Sequence, residues 1–247
     1  MARPNDAEPA GGGTGKPRPV ITAYDWVPDM ARGMVRDLPV RWALEEAGRP
    51  YTVRFLPQGS QREPAHRALQ PFGQVPTYED GEVALFESGA IVLHIAESTD
   101  TLLPADPTGR ARAISWMFAA ANSIDPLIRD YGNTAVFEQG KPWAKARLEI
   151  VCENARTRLR DLAARLGDAE WLDGGFSAGD LMMVCTLRQL GGTGLIEEHP
   201  ALAAYVARGE ARPAFRRALD AQLQGFTGSP PPEFAAWLEK QRQGEDA

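Results

Sequence analysis

The chain is poor in cysteine and histidine. Two cysteines, Cys152 and Cys185, and three histidines stand among 247 residues. They show no CxxC pair and no ligand spacing, so neither a disulfide framework nor a metal site is expected. A reducing, cytoplasmic setting is. No apolar run approaches the ~20 residues of a membrane span. Basic excess is missing too: 27 Lys+Arg against 33 Asp+Glu leave a net charge of −6, which argues against a general grip on nucleic acid. Residues 1–19 hold four Pro and four Gly and no apolar run, which fits neither a signal peptide nor an anchor. They are expected to form a disordered tail, having almost nothing to bury.

What is present is ordinary globular material, 43% hydrophobic and 24% charged, in a length that suits one large domain or two modest ones. Val20–Tyr24 is a short β-rich run followed by a Pro- and Gly-containing loop, Asp25–Gly33. A helix through Val40–Ala47 comes next, stopped by Gly48 and Pro50. Pro39 either occupies the first turn of that helix or kinks it. Tyr51–Leu56 alternates like a strand, so the three elements form a βαβ unit with parallel strands. A short helix near Glu63–Leu69, a hairpin around Asp80-Gly81 and a helix Gly89–Glu97 capped by Ser88 complete a mixed sheet of about four strands.

Strand signals are absent from the second half. Asp106-Pro107 opens a helix carrying Ile114, Met117, Phe118, Ala121, Ile124 and Ile128 at helical spacing. Pro142 opens a second, with a stripe of Leu148, Val151, Ala155, Leu159, Leu162 and Leu166. Ser177-Ala178-Gly179-Asp180 has capping-box spacing before the apolar run Leu181–Val184. Helices near Ala201–Ala207 and Pro213–Leu223 finish this half. From Thr227 a polar tail with Pro230-Pro231-Pro232 leaves it, and Phe234, Trp237 and Leu238 are its groups able to dock back. The division is therefore a tail over 1–19, an α/β domain over 20–100, an all-helical domain over 107–226 and a C-terminal tail over 227–247.

Phe72-Gly73-Gln74-Val75-Pro76-Thr77, then Leu85-Phe86-Glu87-Ser88-Gly89-Ala90-Ile91, carry a likeness to a known family. With Trp171-Leu172-Asp173-Gly174, Phe176–Leu181, His199–Leu202 and Ala211–Phe215, the chain resembles the cytosolic glutathione transferases across about residues 20–226. The resemblance implies a thioredoxin-like N-terminal domain followed by an all-α C-terminal domain, glutathione as co-substrate, no metal, and a homodimer. It also implies a cis Val75–Pro76 bond, which lets the Val75 main chain pair with the glutathione backbone as an added strand does. Gln74, Val75, Pro76, Glu87 and Ser88 are then the glutathione-binding residues, with Ser88 at a helix N-terminus suited to a carboxylate and Glu87 suited to an ammonium. Taken singly, Ser88 is a cap, Glu87 a first-turn acid and Pro76 a turn residue.

Most members of this family place a Tyr, Ser or Cys just after the first strand to activate the glutathione thiol. Between Asp25 and Pro50 this chain has no Ser, Thr, Cys or Tyr. Three candidates remain. Arg36, near the start of the first helix, is a permanent cation able to stabilise a thiolate; here the chain is most like the bacterial eta-class enzymes, for which the resemblance implies an arginine. A surface pair with Asp37 or Glu45 is its structural alternative. Tyr24 is second, as a hydroxyl donor or as a wall aromatic, and Arg32 third. Trp26, Met30, Trp116, Asn122 and Arg188 are candidates for a pocket taking a small hydrophobic electrophile between the halves. The function implied is conjugation of glutathione to small electrophiles, with glutathione-dependent peroxidase activity from the same thiolate. A disulfide or peroxide reductase and a non-catalytic glutathione-binding protein are the alternatives.

Overall fold

The computed structural model describes residues 18–232, 234 and 235. Of the tail expected over 1–19 only Arg18 and Pro19 fall among them, and Trp237 and Leu238 lie outside. The first half runs β1 (Val20–Tyr24), α1 (Asp37–Glu46), β2 (Thr52–Leu56), α2 (Pro64–Arg67), β3 (Thr77–Asp80), β4 (Val83–Phe86) and α3 (Ser88–Glu97). The sheet order is β2-β1-β3-β4, with β1 parallel to β2 and antiparallel to β3. This is the thioredoxin-like mixed sheet that the βαβ unit and the hairpin imply. Thr22 extends the β1–β3 contact beyond the ladder, its Oγ1 accepting from the Thr77 N–H at 2.7 Å.

Pro39 is the third residue of α1, within the turn where a missing N–H costs no helical bond. Every residue from Asp37 to Leu44 is buried, because the helix packs against α3 on one side and the C-terminal helix on the other. The α3 boundary differs from the sequence expectation. Glu87, not Ser88, is the cap, with φ 67°, and Ser88 is the first helical residue. This single residue joins β4 to α3. That requires a left-handed conformation, uncommon outside glycine.

The second half has helices and no strand among its described residues: α4 (Pro107–Ala119), α5 (Asp125–Gly132), α6 (Ala144–Leu166), α7 (Ala178–Leu187), α8 (Pro200–Glu210) and α9 (Pro213–Gln224). A π-helical turn, Ala120–Ile124, joins α4 to α5. Asp106 caps α4 by accepting from the Gly109 N–H at 2.7 Å. The box before α7 forms as its spacing implies: Asp180 accepts from the Ser177 N–H at 3.0 Å, and also from the Leu172 N–H and the Tyr205 hydroxyl, each at 2.9 Å. Five of the six stripe residues on α6, Val151, Ala155, Leu159, Leu162 and Leu166, are buried, while Leu148 is partly exposed.

One apolar core runs through both halves. Trp42 of α1, fully buried, meets Phe215 of α9 edge-on at 4.9 Å and Phe176 at 5.6 Å. Full burial of such a side chain contributes about 2–3 kcal/mol. Arginines fasten the same seam. Arg212 grips Glu46 through two bonds of 2.6 and 2.9 Å, and Arg217 meets Glu45 at 2.7 Å. Beyond α9 the chain folds back over the loop after β1: the Gly228 N–H donates to the Asp25 carbonyl at 2.8 Å, and Phe234 packs on Trp26 at 5.1 Å.

Candidate active site

A cavity of about 250 Å³ opens where the end of β1, the segment before α1, the Gln70–Pro76 turn and the start of α3 converge. Each wall has a local cause. The Gln70–Pro76 turn is held from within: His66 donates through Nε2 to the Gln74 carbonyl at 2.6 Å, and Gln70 Oε1 accepts from the Phe72 N–H at 2.6 Å. Gly73, at φ 65°, passes so close to the Gln61 carbonyl that a Cβ would lie 3.0 Å from it. The Val75–Pro76 bond is cis, and the main-chain N–H and C=O of Val75 take no hydrogen bond from the described residues. Glu87 and Ser88 reach the wall from the first turn of α3, whose leading N–H groups have no partner within the helix.

All five residues expected to bind glutathione, Gln74, Val75, Pro76, Glu87 and Ser88, line this one cavity. Tyr24 and Arg36 line it as well. Arg32 does not; it pairs with Asp29 at 3.1 Å and lies over the Phe226 ring. The five residues expected to form an electrophile pocket are absent from the wall. Trp26 packs under Phe234, Met30 is exposed in the loop, Trp116 lies beneath Arg165 and Asn122 is exposed on the π turn. Arg188 instead ties the halves together from behind. It donates to the Gly33 carbonyl, bonds Glu210 at 2.8 Å and lies 5.3 Å over Phe215.

Arg36 occupies the residue before α1 and pairs with neither Asp37 nor Glu45. Asp37 is taken by Arg41 at 2.6 Å within the buried face of α1, and Glu45 by Arg217. The partner of Arg36 is Asp125, the first residue of α5, buried to 3% of its side-chain surface. The same oxygen, Oδ2, accepts from Arg129 Nε and Nη2 at 3.1 and 3.0 Å, while Oδ1 is buried without a partner. Two guanidiniums thus share one carboxylate, which leaves the cluster with a net charge of about +1, and both line the cavity. Such charge-assisted bonds fix the position of a guanidinium while its other N–H groups stay available. Burial pushes the Tyr24 hydroxyl above its ordinary value near 10, an effect partly offset by Arg62. At neutral pH Tyr24 is therefore a hydroxyl, able to donate a hydrogen bond but not to act as a base.

Met34, Val35, Gln70 and Arg129 line the cavity without having been singled out in the sequence. Met34 and Val35 adjoin Arg36, and Gln70 precedes the Phe72-Gly73 motif by two residues, so neighbourhood was an available signal. Asp125 and Arg129 show an i,i+4 spacing, but nothing local says that a third residue 89 positions away completes the cluster. Neither cysteine lines this cavity; burial pushes the Cys185 thiol up to about 12. Among the described residues no group of His, Cys, Asp or Glu could hold a metal ion.

Comparison with known proteins places this geometry. The model of the glutathione S-transferase N-terminal domain matches residues 20–97. A glutathione S-transferase of Silene vulgaris is 32% identical over 180 residues, covering 67% of this chain and 82% of its own. A glutathione transferase family member from Pseudomonas fluorescens Pf-5, solved with two glutathione bound, superposes with a TM-score of 0.72 at 26% identity, covering 81% of this chain and 92% of that one. A glutathione transferase of Burkholderia graminis, also solved with two glutathione molecules per subunit, gives 0.72 at 27% identity over 83% and 88%. The chain belongs to the glutathione S-transferase family.

Proposed function

We propose that the chain is a glutathione transferase in which Arg36, held by Asp125, stabilises the glutathione thiolate. One observation carries this reading: among the described residues the only fixed cation of the sheet half on the cavity wall is Arg36, and a buried carboxylate of the helical half orients it there. The Val75 main chain supports the cysteinyl backbone as an added strand, Ser88 and the α3 N-terminus receive the γ-glutamyl carboxylate, and Glu87 receives the ammonium. A free cysteine thiol ionises near 8.5, and an adjacent cation lowers that value. The thiol proton leaves to solvent, the sulfur forms a bond to the electrophilic carbon, and the leaving group departs with its electron pair.

The arginine near the start of α1 favours the eta class, whose members are bacterial. On the same reading the enzyme is a cytoplasmic homodimer serving detoxification, the first domain (20–100) of one subunit lying against the second (107–226) of its twin. Sedimentation showing only monomer at micromolar concentration contradicts the dimer. Arg36→Ala tests the chemistry. Its kcat/KM with glutathione and 1-chloro-2,4-dinitrobenzene is expected to fall roughly tenfold or more, the scale of losing one preorganised charge at a reacting atom. Kinetics near those of the unmodified enzyme overturn the assignment.

A further inference from the structure

The second substrate of a transferase must approach the glutathione sulfur from the side that glutathione leaves open. That side faces the helical half, and Trp26 and Trp116 are the aromatic walls expected between the halves. The cavity contains neither. Of its described lining residues, a single one belongs to the helical half, and it is a cation, Arg129. Its side chain is 60% exposed, so its head is reachable by a solute. Nε and Nη2 are spent on Asp125, whereas Nη1 has no partner among the described residues and remains a donor for an anion. Beside it, Met34 and Val35 supply apolar surface to the same wall.

We infer that the electrophile site is built for an amphipathic molecule, an apolar reacting body carrying a carboxylate or comparable anion, with Arg129 as the residue that selects it. The inference rests on the transferase reading above. Charge accounting supports it. Arg36 alone against Asp125 makes a neutral pair, and that pair is already committed to the thiolate. Arg129 adds the positive charge left over, at the rim, where a second negative group is received. Glu87, the one acid among the described lining residues, is matched by the glutathione ammonium. A neutral electrophile uses the apolar surface only; an anionic one uses both.

The test is a ratio of two electrophiles reacting by the same halide displacement, 4-chloro-3,5-dinitrobenzoate and 1-chloro-2,4-dinitrobenzene. In each, the carbon–sulfur bond forms as the carbon–chlorine bond breaks, chloride leaving with the electron pair. In Arg129→Gln, kcat/KM for the benzoate is expected to fall about tenfold relative to that for the neutral arene, the size of one charge-assisted contact. Arg129→Lys, which keeps the charge, is expected to recover part of the ratio. Raising the salt concentration narrows the preference of the unmodified enzyme, because the contact is exposed. A ratio unchanged within about twofold in Arg129→Gln overturns the inference, since any shared disturbance of Arg36 through Asp125 cancels in it. If the unmodified enzyme turns over neither compound, the transferase reading itself fails; turnover of the neutral compound with an insensitive ratio defeats this inference alone.

Discussion

Among the described residues, the sheet half presents the cavity with Tyr24, the segment Met34–Arg36 and the turns and helix end from Gln70 to Ser88, whereas the helical half presents one charged side chain, Arg129, held by Asp125. The two halves divide the work. On the proposed reading, main-chain groups fixed by tight turns recognise a substrate that has a main chain of its own, and they tolerate little change in backbone shape. A 60% exposed cation on a helix tolerates replacement better than a tight turn does, so on the inference above the helical half is where choice of the second substrate resides. Its own integrity depends on a different device, the buried Asp180 box, which lies away from the cavity.

Substitutions that separate stability from chemistry sharpen this contrast. The largest effect is expected from Asp180→Ala, which strands the N–H groups of Leu172 and Ser177 and the Tyr205 hydroxyl in the core. Stranded buried donors cost about 3 kcal/mol or more together, read as a lower denaturant midpoint, while the folded enzyme keeps its KM for glutathione. A raised KM instead would couple the box to the site. Arg188→Ala is next. It removes the bonds to the Gly33 carbonyl and Glu210, costs about 2 kcal/mol, and loosens the segment leading to Arg36, so that kcat/KM falls about threefold. Equal kcat/KM would show that the seam carries stability alone. Tyr24→Phe is the smallest. Since burial keeps this hydroxyl protonated below its ordinary value near 10, it contributes no ionisation to the pH profile in the working range. The acid limb of kcat/KM therefore stays in place and the rate changes by less than about twofold. A displaced limb would return Tyr24 to the chemistry.

The order of elements was legible because hydrophobic period, Gly and Pro stops and cap spacings are local signals: Asp106-Pro107 and Ser177–Asp180 cap their helices as the spacing implies. Ser88 lies one residue inside the helix it is expected to cap, because a left-handed Glu87 has no propensity signature. The wall facing the second substrate was not legible. Trp26 and Trp116 are aromatics of the right size at plausible places, yet Phe234 and Arg165 cover them through long-range packing. The partner of Arg36 was hidden for the same reason. Asp37 and Glu45 are its neighbours in sequence, but both are satisfied by other arginines, and only tertiary structure brings up Asp125.

The most direct test of the central claim is the ultraviolet thiolate absorbance of bound glutathione, titrated against pH in the unmodified enzyme and in Arg36→Ala. The account predicts a bound thiol at least about one pH unit below the ~8.5 of a free cysteine, and a return to within a few tenths of that value in the variant. A thiol that is not lowered in the unmodified enzyme, or one equally lowered without Arg36, contradicts it.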